Sequence, residues 1–296
     1  MLTGILCGLA AGALWGVVFV FPRLVPGFSE ADVTVGRFLA YGAIAGLSTA
    51  VRLRRSPLPT LSQAAAAGGM SVLGFTGYYL VLVYAIRDAG VAVPSLIIGT
   101  IPLWMMLLGK PGHLRWQALL PGLILTAAGL ALMTRASYGL ENAGDASYWR
   151  GIALAVVSML AWTIFGLANA SWLRRHPDVD ATDWANWLGI ATGLGALLLA
   201  LAIGSPPREL FERPQFATFA ALCVLSGFGS SWLATILWNI ASRRLSASLC
   251  GQLIVSETLF ALLYSFLLEG RWPTAAQATA AVLFTLGILA SIRAHR

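Results

Sequence analysis

The sequence predicts an all-α polytopic membrane protein, with ten transmembrane helices arranged as two inverted five-helix repeats. Three observations carry this reading. First, the 296 residues are 58% apolar and only 10% charged, whereas a soluble domain carries about 25% charge. Second, the apolar residues gather in ten runs, near 3–21, 33–51, 64–86, 91–108, 116–134, 151–172, 184–203, 216–240, 245–268 and 275–292. Each is close to the roughly 20 residues that cross a bilayer as helix, and the runs are continuous rather than alternating, which argues against a membrane β-barrel. Third, the charges between runs are biased in opposite senses on alternate loops.

That bias orients the chain. With the N-terminus in the cytoplasm, the inner side holds Arg52, Arg54, Arg55, Lys110, Arg115, Arg174, Arg175, Arg243, Arg244, Arg293 and Arg296. The outer side holds Arg23, Arg87, Arg135, Arg150, Arg208, Arg213 and Arg271. The excess lies inside, as the positive-inside rule requires. Acids sort the other way, with only Asp178, Asp180 and Asp183 inside. The net charge of +7 therefore reads as topology and lipid-headgroup contact, not nucleic-acid binding. The expected topology has both termini cytoplasmic.

Taken in order, the first run lacks a basic leader and is followed by Pro22 and Pro26, so it reads as a mature span rather than a signal peptide. Its Gly8, Gly12 and Gly16 recur every fourth residue, as do Gly42 and Gly46 in the second run and Gly189 and Gly193 in the seventh. Such spacing lets helix backbones approach closely in lipid. Arg37 opens the second run within a snorkel's reach of the outer surface. The third run carries Tyr78 and Tyr79. The fourth contains Ser95, Gly99, Pro94 and Pro102, and the fifth Pro121; proline bends a helix or frees its carbonyls. The ninth run has no proline, so the two halves should differ in shape there. Cys7, Cys223 and Cys250 are odd in number and lie in apolar helices, which reads as packing rather than a disulfide framework.

The longest polar connection divides the chain into residues 1–135, a loop at 136–150, and residues 151–296. Five helices is an odd number, so the second set enters the membrane inverted. AAGALWGVVFVF in the first run is similar to AVVSMLAWTIFG in the sixth, pairing Trp15 with Trp162. LIIGTIPLWMMLL in the fourth is similar to LIVSETLFALLYS in the ninth. Inverted repeats suit transport, because two equivalent halves can exchange roles across the membrane.

Glu257, in the ninth run, is the one acid at mid-membrane. A charge there costs on the order of 3 kcal/mol by insertion scales, so it faces a watery cavity, where it could titrate, or is hydrogen-bonded between helices, or is protonated. Gln252 and Ser256 precede it on the same helix. Trp232 and Asn239 share a stripe on the eighth run, and Trp162 sits on a stripe of the sixth. Enzyme chemistry finds no foothold. His113, His176 and His295 all lie in loops or the tail, and no zinc motif, P-loop, cofactor fingerprint or metal-ligand cluster is present.

LWGxxF in the first run, GRFLAY at 36–41, AWTIFG opening the second half, and LLEGRWPTAAQ followed by GILAS at the end together resemble the EamA-type exporters of the drug/metabolite transporter superfamily. Within it the chain is most similar to the YddG-type amino-acid exporters. The resemblance implies a bundle around a central cavity and export of amino acids, including aromatic or other apolar ones, or related small metabolites. Multidrug or purine export is the alternative within the superfamily, and a polytopic enzyme or receptor the remote one. By helix position it implies Tyr78, Tyr79, Ser95, Gly99, Trp162, Trp232, Asn239, Gln252, Ser256 and Glu257 as substrate-contacting residues. From the residues themselves no cofactor and no nucleic-acid partner is expected beside a small-molecule substrate and membrane lipid, and short loops with a complete five-plus-five repeat favour a functional monomer. The pattern departs from the family at Gly109-Lys110, where Gly-Glu is usual. Reporter fusions test the orientation: green fluorescent protein at the C-terminus should fluoresce and alkaline phosphatase there should be inactive, with the reverse result inverting the topology.

Overall fold

The computed structural model describes residues 1–54, 56–90, 92–135, 146–270 and 272–295. It is all-helical, with no strand among the described residues. In chain order the helices are α1 (Leu2–Gly16), a short 3-10 turn (Val17–Phe19), α2 (Phe21–Leu24), α3 (Glu30–Arg52), α4 (Leu61–Gly74), α5 (Thr76–Ala89), α6 (Ala92–Gly99), α7 (Ile101–Leu108) and α8 (Trp116–Arg135). Then follow α9 (Ala146–Arg175), α10 (Ala181–Ile203), α11 (Pro207–Glu212), α12 (Phe216–Ser226), a π-helical stretch (Gly227–Leu233), α13 (Ala234–Arg244), α14 (Ala247–Glu269) and α15 (Ala275–Ala294). Of the expected connection at 136–150, residues 136–145 lie outside the described residues, and 146–150 form the first turn of α9 instead.

Among the described residues, eight helical segments are long and apolar enough to cross a membrane. The second and fourth expected spans fall short for different reasons. Helix α3 has the length, at 23 residues, but Thr34, Arg37, Ser48 and Thr49 dilute its apolarity. The fourth, Val93–Leu108, is short and broken at Thr100, just before Pro102. Proline cannot donate the backbone bond back to residue 98. Helix α14 runs unbroken for 23 residues, so the two halves do differ in shape here. Two departures carry no proline: the third span breaks at Phe75 (φ −130°, ψ −83°), and the eighth widens into the π stretch.

Local sequence starts several helices. Ser29 with Asp32, Thr60 with Gln63 and Thr274 with Gln277 each form a reciprocal capping box, in which side chain and backbone satisfy one another's first-turn donors. Asp32 does more. Its carboxylate also accepts from the backbone N–H and hydroxyl of Ser205, at 2.8 Å each, and pairs with Arg213 at 3.3 Å. At the opposite end of the same helix, Arg52 bonds Asp183 at 2.8 Å and Asp180 at 3.0 Å. Helix α3 is thus tied at both ends, to α10 and to the segment after it.

Small residues set the closest helix pairs. The Gly8, Gly12 and Gly16 stripe of α1 faces α14. A Cβ added at Gly8 would lie 2.7 Å from Leu253 Cδ1, one at Gly12 would strike Ser256 Oγ, and one at Gly16 would lie 2.9 Å from the Ala261 nitrogen. Gly42 and Gly193 bring α3 and α10 equally close, a Cβ at Gly42 lying 2.6 Å from Gly193 Cα. The other main pairs are α8 with α15, α9 with α5, α1 with α13, and α7 with α14. Large side chains such as Leu198 (70% exposed) and Leu201 (87%) point away from the bundle, as an apolar face requires where the surroundings are lipid.

Buried polar groups pair between helices. Asn169 donates to Asn239 Oδ1 at 3.1 Å and accepts from the Trp184 indole at 2.7 Å, while Asn239 donates to the Ala181 carbonyl at 3.3 Å. Gln252 bonds Thr126 at 2.9 Å and accepts from Ser291 at 3.2 Å, joining α14, α8 and α15. Tyr41 donates to the Ala185 carbonyl at 2.7 Å.

Two stability changes follow. Gly12→Val should destabilise the protein by about 1–3 kcal/mol, the cost of overpacking a close contact, whereas Gly46→Ala, which meets nothing within 4 Å, should not lower the melting temperature in detergent. Asn239→Ala should cost about 1–3 kcal/mol because it strands the Asn169 amide, with the loss read in the same melt.

Candidate functional site

Arg37 of α3, Tyr78 of α5 and Glu257 of α14 lie within electrostatic range of one another, and the space between these helices is the candidate crevice. Glu257 marks a change along α14. Residues Gly251 to Ser256 are all buried, and from Glu257 onward the helix is partly accessible or exposed. The buried half packs against α7: the Ser248 N–H donates to the Gly109 carbonyl at 3.1 Å, and a Cβ at Gly251 would lie 2.5 Å from Met105 Cβ. Among the described residues the other half of α14 has no comparable packing against α6. The bundle is therefore sealed at the end that carries both termini, and the fourth and ninth spans part at the far end.

Arg37 enters this crevice from α3, two turns in. It lies within electrostatic range of Glu257, Tyr78 and Tyr79, and its guanidinium carbon is 4.9 Å from the Phe38 ring centroid. Its Nε is buried with no hydrogen-bond partner. Among the described residues neither Arg37 nor Glu257 is in an ion pair, since the two are too far apart for direct contact. Both side chains stay partly accessible while surrounded by protein, the combination found on the wall of an internal cavity. Sequence reading expected Arg37 to snorkel outward; the structure turns it inward.

A chain of aromatic rings packs beside the crevice, with Phe38 and Phe165 buried in it. From α9, Trp162 meets Phe165 at 5.9 Å between centroids; Phe165 meets Phe75 at 5.5 Å; Phe75 meets Phe38 at 6.0 Å; and Phe38 meets Tyr79 at 6.4 Å. All four contacts are edge-to-face, the arrangement that ring quadrupoles favour. Phe75 occupies the break in the third span, so that break seats the chain of rings and starts α5 with Tyr78 and Tyr79 in its first turn. No residue pattern announces it.

The expected site residues divide. Tyr78 and Glu257 share the crevice with Arg37. Tyr79 lies beside them but donates its hydroxyl to the Glu30 carbonyl at 2.9 Å. Trp162 ends the aromatic chain. Trp232 is partly accessible, in the π stretch, with its indole donating to Asn186 Oδ1 at 2.7 Å. Ser95 is exposed, and a Cβ at Gly99 would face Leu130 of α8 at 3.4 Å. Asn239, Gln252 and Ser256 are wholly or almost wholly buried. Their polar atoms are spent on helix contacts, with Ser256 donating to the Leu253 carbonyl at 2.7 Å. Sequence could place these three at membrane depth but could not show which neighbours claim them.

A separate crevice of about 600 Å³ opens at the far end, lined by Tyr84, Arg87, Asp88 and Arg150 among others. Arg150 grips Asp88 there with two bonds of 2.7 and 3.0 Å, so this hollow reads as a tie between α5 and α9.

The chain matches the EamA-like transporter family over residues 2–135 and 149–293. It is 34% identical over 309 residues to the inner membrane protein YtfF of Escherichia coli (strain K12), covering 99% of this chain and 96% of that one. A solved crystal structure at 20% identity shares the fold, with a TM-score of 0.78 over 99% of this chain and 98% of the other. The two matched segments together take in nearly all of the helices described above, and on that ground the chain belongs to the EamA-like transporter family.

Proposed function

We propose that this transporter exports amino acids, including aromatic or other apolar ones, or related small metabolites across a bacterial inner membrane. It would do so as a monomer with ten spans, both termini in the cytoplasm, by alternating access between inverted halves at 1–135 and 151–296. The observation that carries the reading is the pattern of helix neighbours. Exchange each span with the one five places on, and the main pairs exchange among themselves. The second span packs on the seventh and the fifth on the tenth, while the first with the eighth answers to the sixth with the third. The symmetry fails at one place: the fourth and ninth spans are closed at one end and parted at the other. A transporter caught in one of two equivalent states has that form.

The substrate class rests on the crevice chemistry. Opposed charges in Arg37 and Glu257, beside a run of aromatic rings, suit a solute with both a polar head and an apolar side chain. Counterflow into proteoliposomes tests this without any imposed ion gradient. Labelled aromatic amino acids should accumulate in vesicles preloaded with the unlabelled compound. If no amino acid enters, and a proton gradient does not rescue uptake, drugs or purines take precedence.

A further inference from the structure

We propose that Arg37 and Glu257 are the two poles of a zwitterion site: Arg37 receives the substrate's carboxylate and Glu257 its ammonium group. This rests on the amino-acid reading above and assigns its recognition to two residues. The argument starts from what the pair lacks. Two opposite charges stand in one crevice at membrane depth, one from each half of the chain, yet they do not touch. A buried charge without a partner is costly, and a partner of good geometry offsets that cost. If the pair existed for packing alone, direct contact would be its lowest-energy form. Held apart, each charge remains available to a third group.

The geometry of each pole fits its role. The guanidinium is a planar fork that binds carboxylates through paired N–H groups, and the buried Arg37 Nε has an unfilled donor. An ionised Glu257 can only accept hydrogen bonds, and among the described residues no donor reaches it. An ammonium group supplies three. The backbone at Glu257 is held in place by α1: a Cβ at Gly12 would lie 3.1 Å from the Glu257 nitrogen, and one at Gly16 would lie 3.1 Å from its carbonyl oxygen. The carboxylate thus projects from a fixed segment. Phe38, beneath the guanidinium, belongs to the chain of rings, of which Phe75, Tyr79 and Trp162 stay partly accessible, so an apolar side chain attached between the two charged groups has rings to lie against. A solute with a single charge would leave the other pole unmatched. Sites built around polar groups reject such analogues strongly.

Counterflow of labelled phenylalanine, with unlabelled competitors, tests the assignment. The competitors are phenylalanine, its amide, which lacks the carboxylate, and 3-phenylpropionate, which lacks the ammonium group. With the parent protein, each single-pole analogue should compete about tenfold or more weakly than phenylalanine. Arg37→Gln should erase the preference for phenylalanine over the amide and keep the rejection of 3-phenylpropionate. Glu257→Gln should do the reverse. Equal competition by all three compounds at the parent protein overturns the proposal, and that comparison needs no variant to fold. A variant that weakens all three by the same factor, or none, also overturns it, because that marks a structural role. Failure of the parent to move any amino acid removes the transport reading and this assignment together. Amino-acid uptake without pole-dependent selectivity removes the assignment alone.

Discussion

A polar group inside a bilayer has no water to bond, so it must find its partner within the protein. Most of the architecture here answers that demand. Asn169, Asn239 and Trp184 close one circuit between α9, α13 and α10. Thr126, Gln252 and Ser291 close another between α8, α14 and α15. Ser71 bonds Thr192 at 2.9 Å, and Asn186 bonds Ser48 at 3.0 Å. Against this background Arg37 and Glu257 stand out. They are ionisable groups at depth and, among the described residues, neither is in a direct ion pair.

Close packing and open space are complementary in this bundle. The glycine stripe of α1 presses the α14 backbone into place around Glu257, while the buried half of α14 seals against Met105 and Gly109. Beyond Glu257 the same helix is still held by α1 at Ala261 but, among the described residues, has no comparable packing against α6. One helix therefore packs closely along its first half and stays partly accessible along its second, and Glu257 sits at the boundary. The fourth span, broken at Thr100, is divided at a comparable level. A break and a change of packing at matching heights allow the two spans to part at one end without parting at the other.

Much of this was legible in the sequence because membranes impose simple rules. Apolar runs gave the helices, and Gly8, Gly12, Gly16, Gly42 and Gly193 the close contacts. Glu257 was visible as a charge without a loop. What stayed hidden depends on which face a helix turns inward. Arg37 lies near enough to a helix end to read as interfacial, and only the packing of α3 against its neighbours turns it to Glu257. Asn239 and Gln252 read equally well as cavity or core, since an amide at depth needs a partner in either case. The break at Phe75 and the π stretch around Trp232 lack prolines. They arise from tertiary contacts such as that of Phe75 with Phe165 and the Ser230 hydroxyl bond to the Leu14 carbonyl at 2.6 Å, which no local pattern encodes.

Alternating access by exchange of the two ends is the central claim, and paired cysteines test it most directly. In a variant with Cys7, Cys223 and Cys250 replaced, one pair joins positions Met105 and Gly251 at the sealed end, and a second joins Pro94 and Leu262, their equivalents when the fourth and ninth runs are aligned. The account predicts rapid cross-linking of the first pair in the resting protein, cross-linking of the second only when transported solute is present, and arrest of transport by either link. Continued transport with the first pair linked, or both links forming at once in one active molecule, would contradict it.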